Sequence, residues 1–372
     1  MTKKIVLAGG GHAHLETIAQ LDKFLQKNYS VTVISPDKYH YYSGMAPGFL
    51  GEIYHEEDIR FDIQSMVEQK GCIFLNASLD YIDPQSKTIF MTDKKTINYD
   101  VISFNTGSII KSIPVKDSSN IYYVKPITNF ISLKNKIIGL SNDKSINISV
   151  IGGGAAGVEI STNIRALQKK TCKNDVFIHL FTGPSLLSGF NKKMQLIATK
   201  LLKQKQINII PYIVDKIENN HVLTKANPLY SDIIILASGT KPQDLFVKSS
   251  LSTGPDGDLL VNKYLQNPDF PQIFGAGDCI HFMPSPLSKV GVYAVRQNSI
   301  ILHNLLAFLE DKPLLAFETK KDYLQILNLG EKTGILIMKG YVFSGKAAFW
   351  LKNYIDRKFM QKYKKSNYYE TK

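Results

Sequence analysis

An α/β chain with two parallel sheets is what this sequence predicts, and three observations predict it. A short apolar strand, a glycine-rich turn and a helical pattern stand in that order at the N-terminus, and again about 143 residues later. Each is followed by a further apolar strand, giving a strand–crossover–strand unit of the kind a parallel sheet is built from. Two other strands end in glycine-bearing turns, where the chain is expected to leave one sheet for the other.

The first unit is Ile5-Val6-Leu7-Ala8, the turn Gly9-Gly10-Gly11-His12-Ala13-His14, a helix over Leu15 to Leu25 and a strand over Ser30 to Ile34. Four apolar residues before a glycine are too few for a secretory apolar region, so the start is expected to be a buried strand. Asp100 to Phe104 is a strand running into Asn105-Thr106-Gly107, the first crossing. The second unit is Ile146 to Ile151, the turn Gly152-Gly153-Gly154-Ala155-Ala156-Gly157, a helix over Val158 to Leu167 and a strand over Asp175 to Phe181. Asp232 to Leu236 leads to Ala237-Ser238-Gly239-Thr240, the crossing back. Gln272-Ile273-Phe274 ends in Gly275-Ala276-Gly277-Asp278, a strand closing on a glycine-framed aspartate, and Leu287 to Leu309 has a helical pattern. The rest is strand-like from about Phe317 to Phe343 and helical from about Lys346. The implied domains are residues 1–110 with 245–316, a unit 111–244 inserted between them, and a small α+β region over 317–372.

At 372 residues the chain is too long for one small binding module. With 44% hydrophobic and 21% charged residues, disorder, collagen and a coiled coil are excluded. Cys72, Cys172 and Cys279 are odd in number and widely spaced, giving neither a disulfide framework nor a metal cluster. His40, His55 and His281 have no metal-ligand spacing either, so no metal site is expected. No apolar run approaches the roughly 18 residues of a spanning helix. The chain is therefore expected to be cytoplasmic and reduced. Its net charge is +13, and +7 of that falls within residues 339–372. An anionic membrane face or nucleic acid would each attract such a tail.

A pyrophosphate must be solvated, and backbone N–H groups at a helix N-terminus do this when no Cβ keeps the phosphate away. Gly152, Gly154 and Gly157 complete the G-x-G-x-x-G pattern; the first turn keeps Gly9 and Gly11, followed by His12 and Ala13, but has His14 in the third place. Two such turns in strand–turn–helix context predict two Rossmann-like dinucleotide-binding domains. The acidic residue that would hold a ribose is absent from both: Ser35 stands there in the first unit, with Asp37 two residues on, and Thr182 in the second. Either hydroxyl can bond a ribose, but neither separates NAD from NADP.

These turns, the crossings at Asn105-Thr106-Gly107 and Ala237-Ser238-Gly239, and Gly275-Ala276-Gly277-Asp278 together resemble the pyridine nucleotide–disulfide oxidoreductase superfamily, over nearly the whole chain and in the family's order. Within it the chain is most similar to the type II NADH dehydrogenase branch. It also resembles the flavoprotein module fused ahead of selenophosphate synthetase in some bacteria, through Gly9 to His14, Tyr42-Ser43-Gly44-Met45-Ala46-Pro47-Gly48 and Ala294-Val295-Arg296-Gln297. The resemblance implies that the first unit binds FAD and the second NAD(P)H. It also implies that Asp278, beside Gly277, bonds the flavin ribityl chain, with Thr106, Gly107 and Gly239 lining the crossings.

Related disulfide reductases and peroxidases carry reactive cysteine on the segment that is Tyr41 to Met45 here, and Ser43 takes that place. A serine hydroxyl forms neither thiolate nor sulfenic acid, so the flavin is expected to pass electrons directly to its acceptor. Persulfide chemistry of the sulfide:quinone reductase kind is disfavoured for the same reason. The resemblance places Glu159 at the flavin–nicotinamide junction; the plainer alternative is a first-turn glutamate answering the helix dipole. Lys289 and the helix start at Val290 are the candidates for stabilising an anionic reduced ring. Cys279 reads as a small core residue.

Type II dehydrogenases reduce quinones. Their Ala-Gln-x-Ala-x-Gln segment corresponds to Gly291–Gln297, which keeps only Ala294 and Gln297. Trp350, Leu351, Tyr354, Ile355, Phe359 and Tyr363 recur at helical spacing among Lys352, Arg357, Lys358 and Lys362, as in a helix lying on lipid or docking on its own protein. The expected function is a non-proton-pumping, FAD-dependent NAD(P)H oxidoreductase with a quinone-like acceptor, held through residues 346–372 to the inner face of a membrane. The alternatives are a reductase of a soluble electron carrier, or a redox-sensing flavoprotein whose tail holds nucleic acid, the less favoured partner. Oligomerisation is left open.

Overall fold

Runs of β-branched and other apolar residues make strands that are buried on both faces, and helices must then cover those faces. The computed structural model describes residues 2–319 and 323–364. Its first sheet is parallel throughout, in the spatial order Ile273–Gly275, Val101–Phe104, Lys4–Ala8, Ser30–Ser35, Ile73–Asn76. The second has the same design: Ile121–Tyr123, Ile233–Leu236, Ile146–Ile151, Val176–Phe181, Ile207–Ile210. Each also carries an antiparallel three-strand meander before its returning strand, Leu79–Asp83 to Thr96–Asn98 in the first and Lys216–Glu218 to Tyr230 in the second.

The last strand of the first sheet joins only after the whole second sheet has been formed, so the chain crosses between the units twice. The two crossings pair with each other, Ile109 opposite Lys241 and Ile110 opposite Thr240, antiparallel. C-terminal to both lies a meander of Gln325–Asn328, Gly334–Met338 and Tyr341–Gly345. Its second hairpin closes through Lys339 and Gly340, both at positive φ, as a two-residue turn requires. A 19-residue helix, Lys346–Lys364, follows and lies back across the first unit.

Three helix expectations need correction. The pattern over Leu15 to Leu25 forms two short helices, Leu15–Ala19 and Asp22–Leu25, because Gln20 leaves helical geometry (φ −118°, ψ 33°) and both Leu21 and Phe24 reach the core. The helix of the second unit is longer than expected, Ala155–Thr171. The helix expected from Leu287 starts at Gly291, since Val290 is extended (φ −130°, ψ 140°).

Asn105 ties the pieces of the first unit together. Its Oδ1 accepts from Ala13 N at 3.1 Å, and its Nδ2 donates to Ala276 O at 2.8 Å. Three glycines exist to admit it. A Cβ on Gly9 would lie 2.3 Å from Asn105 O, one on Gly11 2.2 Å from Oδ1, and one on Gly277 2.4 Å from Nδ2. We predict that Gly11→Ala and Asn105→Ala each cost about 2 kcal/mol by urea unfolding. The double variant should lose less than their sum by about 1 kcal/mol or more, because removing the amide removes the clash. Strict additivity would refute this reading of Gly11.

Candidate functional site

The C-terminal ends of the central strands converge on the two glycine turns, the place where open α/β sheets hold ligands. Among the described residues, the N–H groups of Gly10, Gly11 and His12 have no hydrogen-bond partner, nor do those of Gly154, Ala155 and Ala156 at the start of the 17-residue helix Ala155–Thr171. The space beside Gly154, Gly107 and Gly291 is open: a Cβ there would meet nothing within 4 Å. His12 Nε2 is buried without a partner. Free donors, helix N-termini and open space fit a dinucleotide at each turn. In the second turn the other glycines serve packing, since a Cβ on Gly152 would strike Ala237 O and one on Gly157 would strike Gly152 O.

Not every predicted residue faces that space. His14 is sealed in the core, with Nδ1 2.7 Å from Gly9 O and Nε2 2.8 Å from Ser103 Oγ. Burial holds it neutral, with its pKa down to about 4. It staples the turn to the next strand and has no nitrogen left for a ligand. Ala13 is likewise buried beneath Asn105. Thr182 turns its hydroxyl inward, donating to Gly183 O at 2.8 Å, and does not offer it to a ribose. Ser35 ends its strand at the rim, next to the exposed Asp37. Ser43 is exposed and Gly239, at φ +57°, carries the crossing back past Lys111.

Asp278 caps a strand end just after Gly277, whose N–H donates to Gln297 Oε1 at 2.7 Å. Its Oδ2 accepts from Ser108 Oγ at 3.0 Å and Lys125 Nζ at 2.7 Å. Burial alone would raise its pKa, but Lys125 and Ser108 hold the carboxyl below the usual range. Lys125 carries no motif, and only the fold brings it here from the linker after Ile121–Tyr123. Lys289 has a different setting from the one expected: its Nζ is fixed on the buried Asp258 and on Ile280 O at 2.7 Å, so its charge is already answered. The helix start at Val290–Gly291 remains open. Cys279 is fully buried, and burial raises its thiol pKa, so it stays protonated.

Glu159 lies one turn into its helix but is not a surface residue. Its Oε1 accepts from Asn328 N at 2.7 Å, and burial pushes its pKa up to about 7, against the pull of Lys352 and the Asn328 N–H. Lys352 and Asp356, from the C-terminal helix, form an i,i+4 ion pair at 2.8 Å with side chains only 12% and 5% exposed. Burial would lower the Lys352 pKa, but Asp356 and Glu159 together raise it. Tyr42 donates to Asp356 Oδ1 at 3.0 Å, and Tyr54 donates to Asn353 Oδ1 at 3.0 Å. Sequence reasoning saw Lys352 only as part of the basic face; the i,i+4 spacing to Asp356 was the available signal.

That helix docks through Phe349, Met360 and Tyr363, with Tyr363 donating to Glu16 at 2.9 Å and Phe359 4.9 Å from the Tyr42 ring. Phe359 and Tyr363 therefore belong to the docking face, a correction to the single apolar stripe expected. Trp350, Leu351, Tyr354 and Ile355 stay exposed, beside Met338, Tyr341 and Phe343 of the preceding hairpin. No described helix is long and apolar enough to cross a membrane. Residues 365–372, with two of the tail's basic groups, lie outside the described residues.

Two parallel sheets, each with a glycine turn at the end of its central strand, define a two-nucleotide α/β protein. Residues 3–299 match the family model of pyridine nucleotide-disulphide oxidoreductases, and the chain belongs to that family. It is 24% identical over 383 residues to a type II NADH:quinone oxidoreductase of Staphylococcus saprophyticus, covering 95% of this chain and 94% of that one. Among solved structures it is similar to the sulfide:quinone oxidoreductase of Aquifex aeolicus (TM-score 0.82, 19% identity, 98% and 92% covered). It is also similar to NDH2 of Plasmodium falciparum solved with NADH (TM-score 0.81, 15% identity, 99% and 98% covered).

A carboxyl whose folded pKa lies above its unfolded value of 4.5 binds more protons folded than unfolded in between. Stability is therefore lost as pH rises from about 4.5 to about 7, by roughly 3 kcal/mol. Glu159→Gln removes this, so its Tm advantage over the parent protein should grow from pH 5 to pH 8. A difference that does not change with pH would show that Glu159 does not titrate there.

Proposed function

We propose that the protein is an FAD-dependent NAD(P)H oxidoreductase that passes electrons directly to a quinone-like acceptor. The observation that carries this is the pair of glycine turns with free backbone donors, together with the buried Glu159 on the second unit's helix and the lack of cysteine in Tyr41–Met45. Residues 9–12, Asp278 and the helix start at Gly291 would hold the FAD, and Gly154 to Ala156 the nicotinamide dinucleotide. When bound, the flavin supplies the two-electron chemistry; the chain supplies orientation, a dry cleft and proton control. Glu159, poised near neutrality, would orient the nicotinamide or hold a proton beside Lys352. The fold is shared with a sulfide:quinone oxidoreductase, but Cys72 and Cys279 are buried and Cys172 caps a helix elsewhere, which disfavours a persulfide route. The domain limits 1–110 with 245–316, 111–244 and 317–372 are proposed on the same basis.

Purified protein should be yellow and bleach under anaerobic NADH. NADPH should bleach it too, because Thr182 and Gly183 put no carboxylate at the strand end to repel a 2′-phosphate. A colourless protein that cannot be reconstituted with FAD would end this proposal.

We also place the protein on an anionic membrane face. Trp350, Leu351, Tyr354 and Ile355, with Lys346, Arg357 and Lys358 beside them, make a face suited to a lipid interface, at about 1 kcal/mol per basic residue near anionic lipid. Trp350→Ser/Tyr354→Ser should reduce sedimentation with phosphatidylglycerol vesicles without changing anaerobic bleaching by NADH. Unchanged vesicle binding would remove this face from the account.

A further inference from the structure

His12, in the first glycine turn, and His40, on the strand Tyr39–Tyr41, form a pair that the glycine-turn chemistry does not require. His12 Nδ1 lies 2.9 Å from His40 Nε2, with the rings edge-on and their centroids 4.6 Å apart. At the other end of His12, Nε2 is shut off from water and unbonded, an expensive condition unless something is meant to meet it. Two more rings pack on the His12 imidazole: Tyr42, 5.2 Å away ring to ring, and Phe359 of the C-terminal helix, stacked at 6.0 Å and 18°. His40 sits at the margin of the site, stacked on Phe61 at 6.3 Å and only partly buried. The pair therefore runs from the partly buried His40 to a sealed nitrogen of His12, which lies within electrostatic reach of Asp278 and Lys125.

Burial keeps both rings neutral at pH 7. His12 is held down to about 4, with Asp278 pulling its pKa up and Lys125 pushing it down. His40 lies well below its ordinary value, burial first and His12 second. Tyr42, which packs on His12, is kept protonated by burial and Asp356. A neutral imidazole accepts a proton on one nitrogen while releasing one from the other, so two in series move a proton without storing a charge.

We infer that His40 and His12 are a proton relay that delivers to the acceptor the one proton the reaction takes from water. This rests on the function proposed above. The overall change is NAD(P)H + H⁺ + quinone → NAD(P)⁺ + quinol. The hydride supplies both electrons and one hydrogen, and the second hydrogen must enter as a proton. His12 Nε2–H gives its proton to an acceptor oxygen, His12 Nδ1 takes one from His40 Nε2–H, and His40 Nδ1 is reprotonated from solvent. Ring flips then restore the starting tautomers.

The test separates the two half-reactions of the FAD-loaded protein. In His40→Phe and His40→Gln, anaerobic bleaching by NADH should stay within about twofold of the parent, while reoxidation by a soluble quinone slows by about tenfold or more. The solvent deuterium isotope effect on reoxidation should change as well, and added imidazole should restore the rate in His40→Gly. Independently of turnover, ¹⁵N-histidine NMR should show a shared N–H···N proton that disappears in His40→Gln. Reoxidation at the parent rate with an unchanged isotope effect would overturn the relay. So would equal slowing of both half-reactions with loss of FAD, which marks a purely structural pair. Failure of the parent protein to bleach with NADH would instead defeat the underlying function.

Discussion

One side-chain amide carries the constraint on which the first unit depends. Asn105 sits where the first glycine turn, the first crossing and the late-returning strand meet, and it bonds two of them at once. The strand Ile273–Gly275 reaches the sheet only after the whole second unit has been threaded, so its end must be located by something already in place. The amide does this, and the absence of side chains at Gly11 and Gly277 is the condition for it, while the bare Gly9 admits the Asn105 backbone carbonyl. The glycines of the first turn thus have two duties: they leave phosphate donors free, and they let an internal fastener approach. In the second turn Gly152, Gly153 and Gly157 face backbone carbonyls instead, and Gly154 faces open space.

The site's electrostatics come from parts of the chain that are remote in sequence. Glu159 begins a helix of the second unit, while Lys352 and Asp356 belong to the last helix. Tyr42, from the first unit, completes the set. Charges buried this deeply are tolerated only as a balanced group, because each alone would face a desolvation penalty of several kcal/mol. That balance also fixes the position of the C-terminal helix. Its docking is polar at Lys352, Asp356 and Tyr363 and apolar at Phe349 and Met360, so it has one registered seat.

Much of the architecture was legible because parallel strands are near-continuous apolar runs and glycine turns have few other uses. Ile5–Ala8, Ile146–Ile151 and Ile233–Leu236 announce themselves in this way, and the start of the last helix at Lys346 follows from the end of the alternating hairpin. The site was only partly legible. His14 stands in the turn's third glycine place, but its sequence position says nothing of Ser103, 89 residues away, which takes its far nitrogen. Lys289 and Lys125 are equally plain lysines in sequence. Only the fold turns the first toward Asp258 and the second toward Asp278. Phe359 and Tyr363 share a period with Trp350 and Tyr354, and periodicity alone does not say which edge of a wide stripe faces inward.

The pairing of Ile109–Ile110 with Thr240–Lys241 has a consequence for the ancestry and handling of the chain. Opposed residues of an antiparallel pair lie only about 5 Å apart. The nucleotide unit between them therefore enters and leaves through a single doorway, like a cassette clipped into a slot. A replacement unit would still have to reproduce what the insert contacts in its host, such as Lys170 on Gly51 and Glu52 and Lys125 on Asp278.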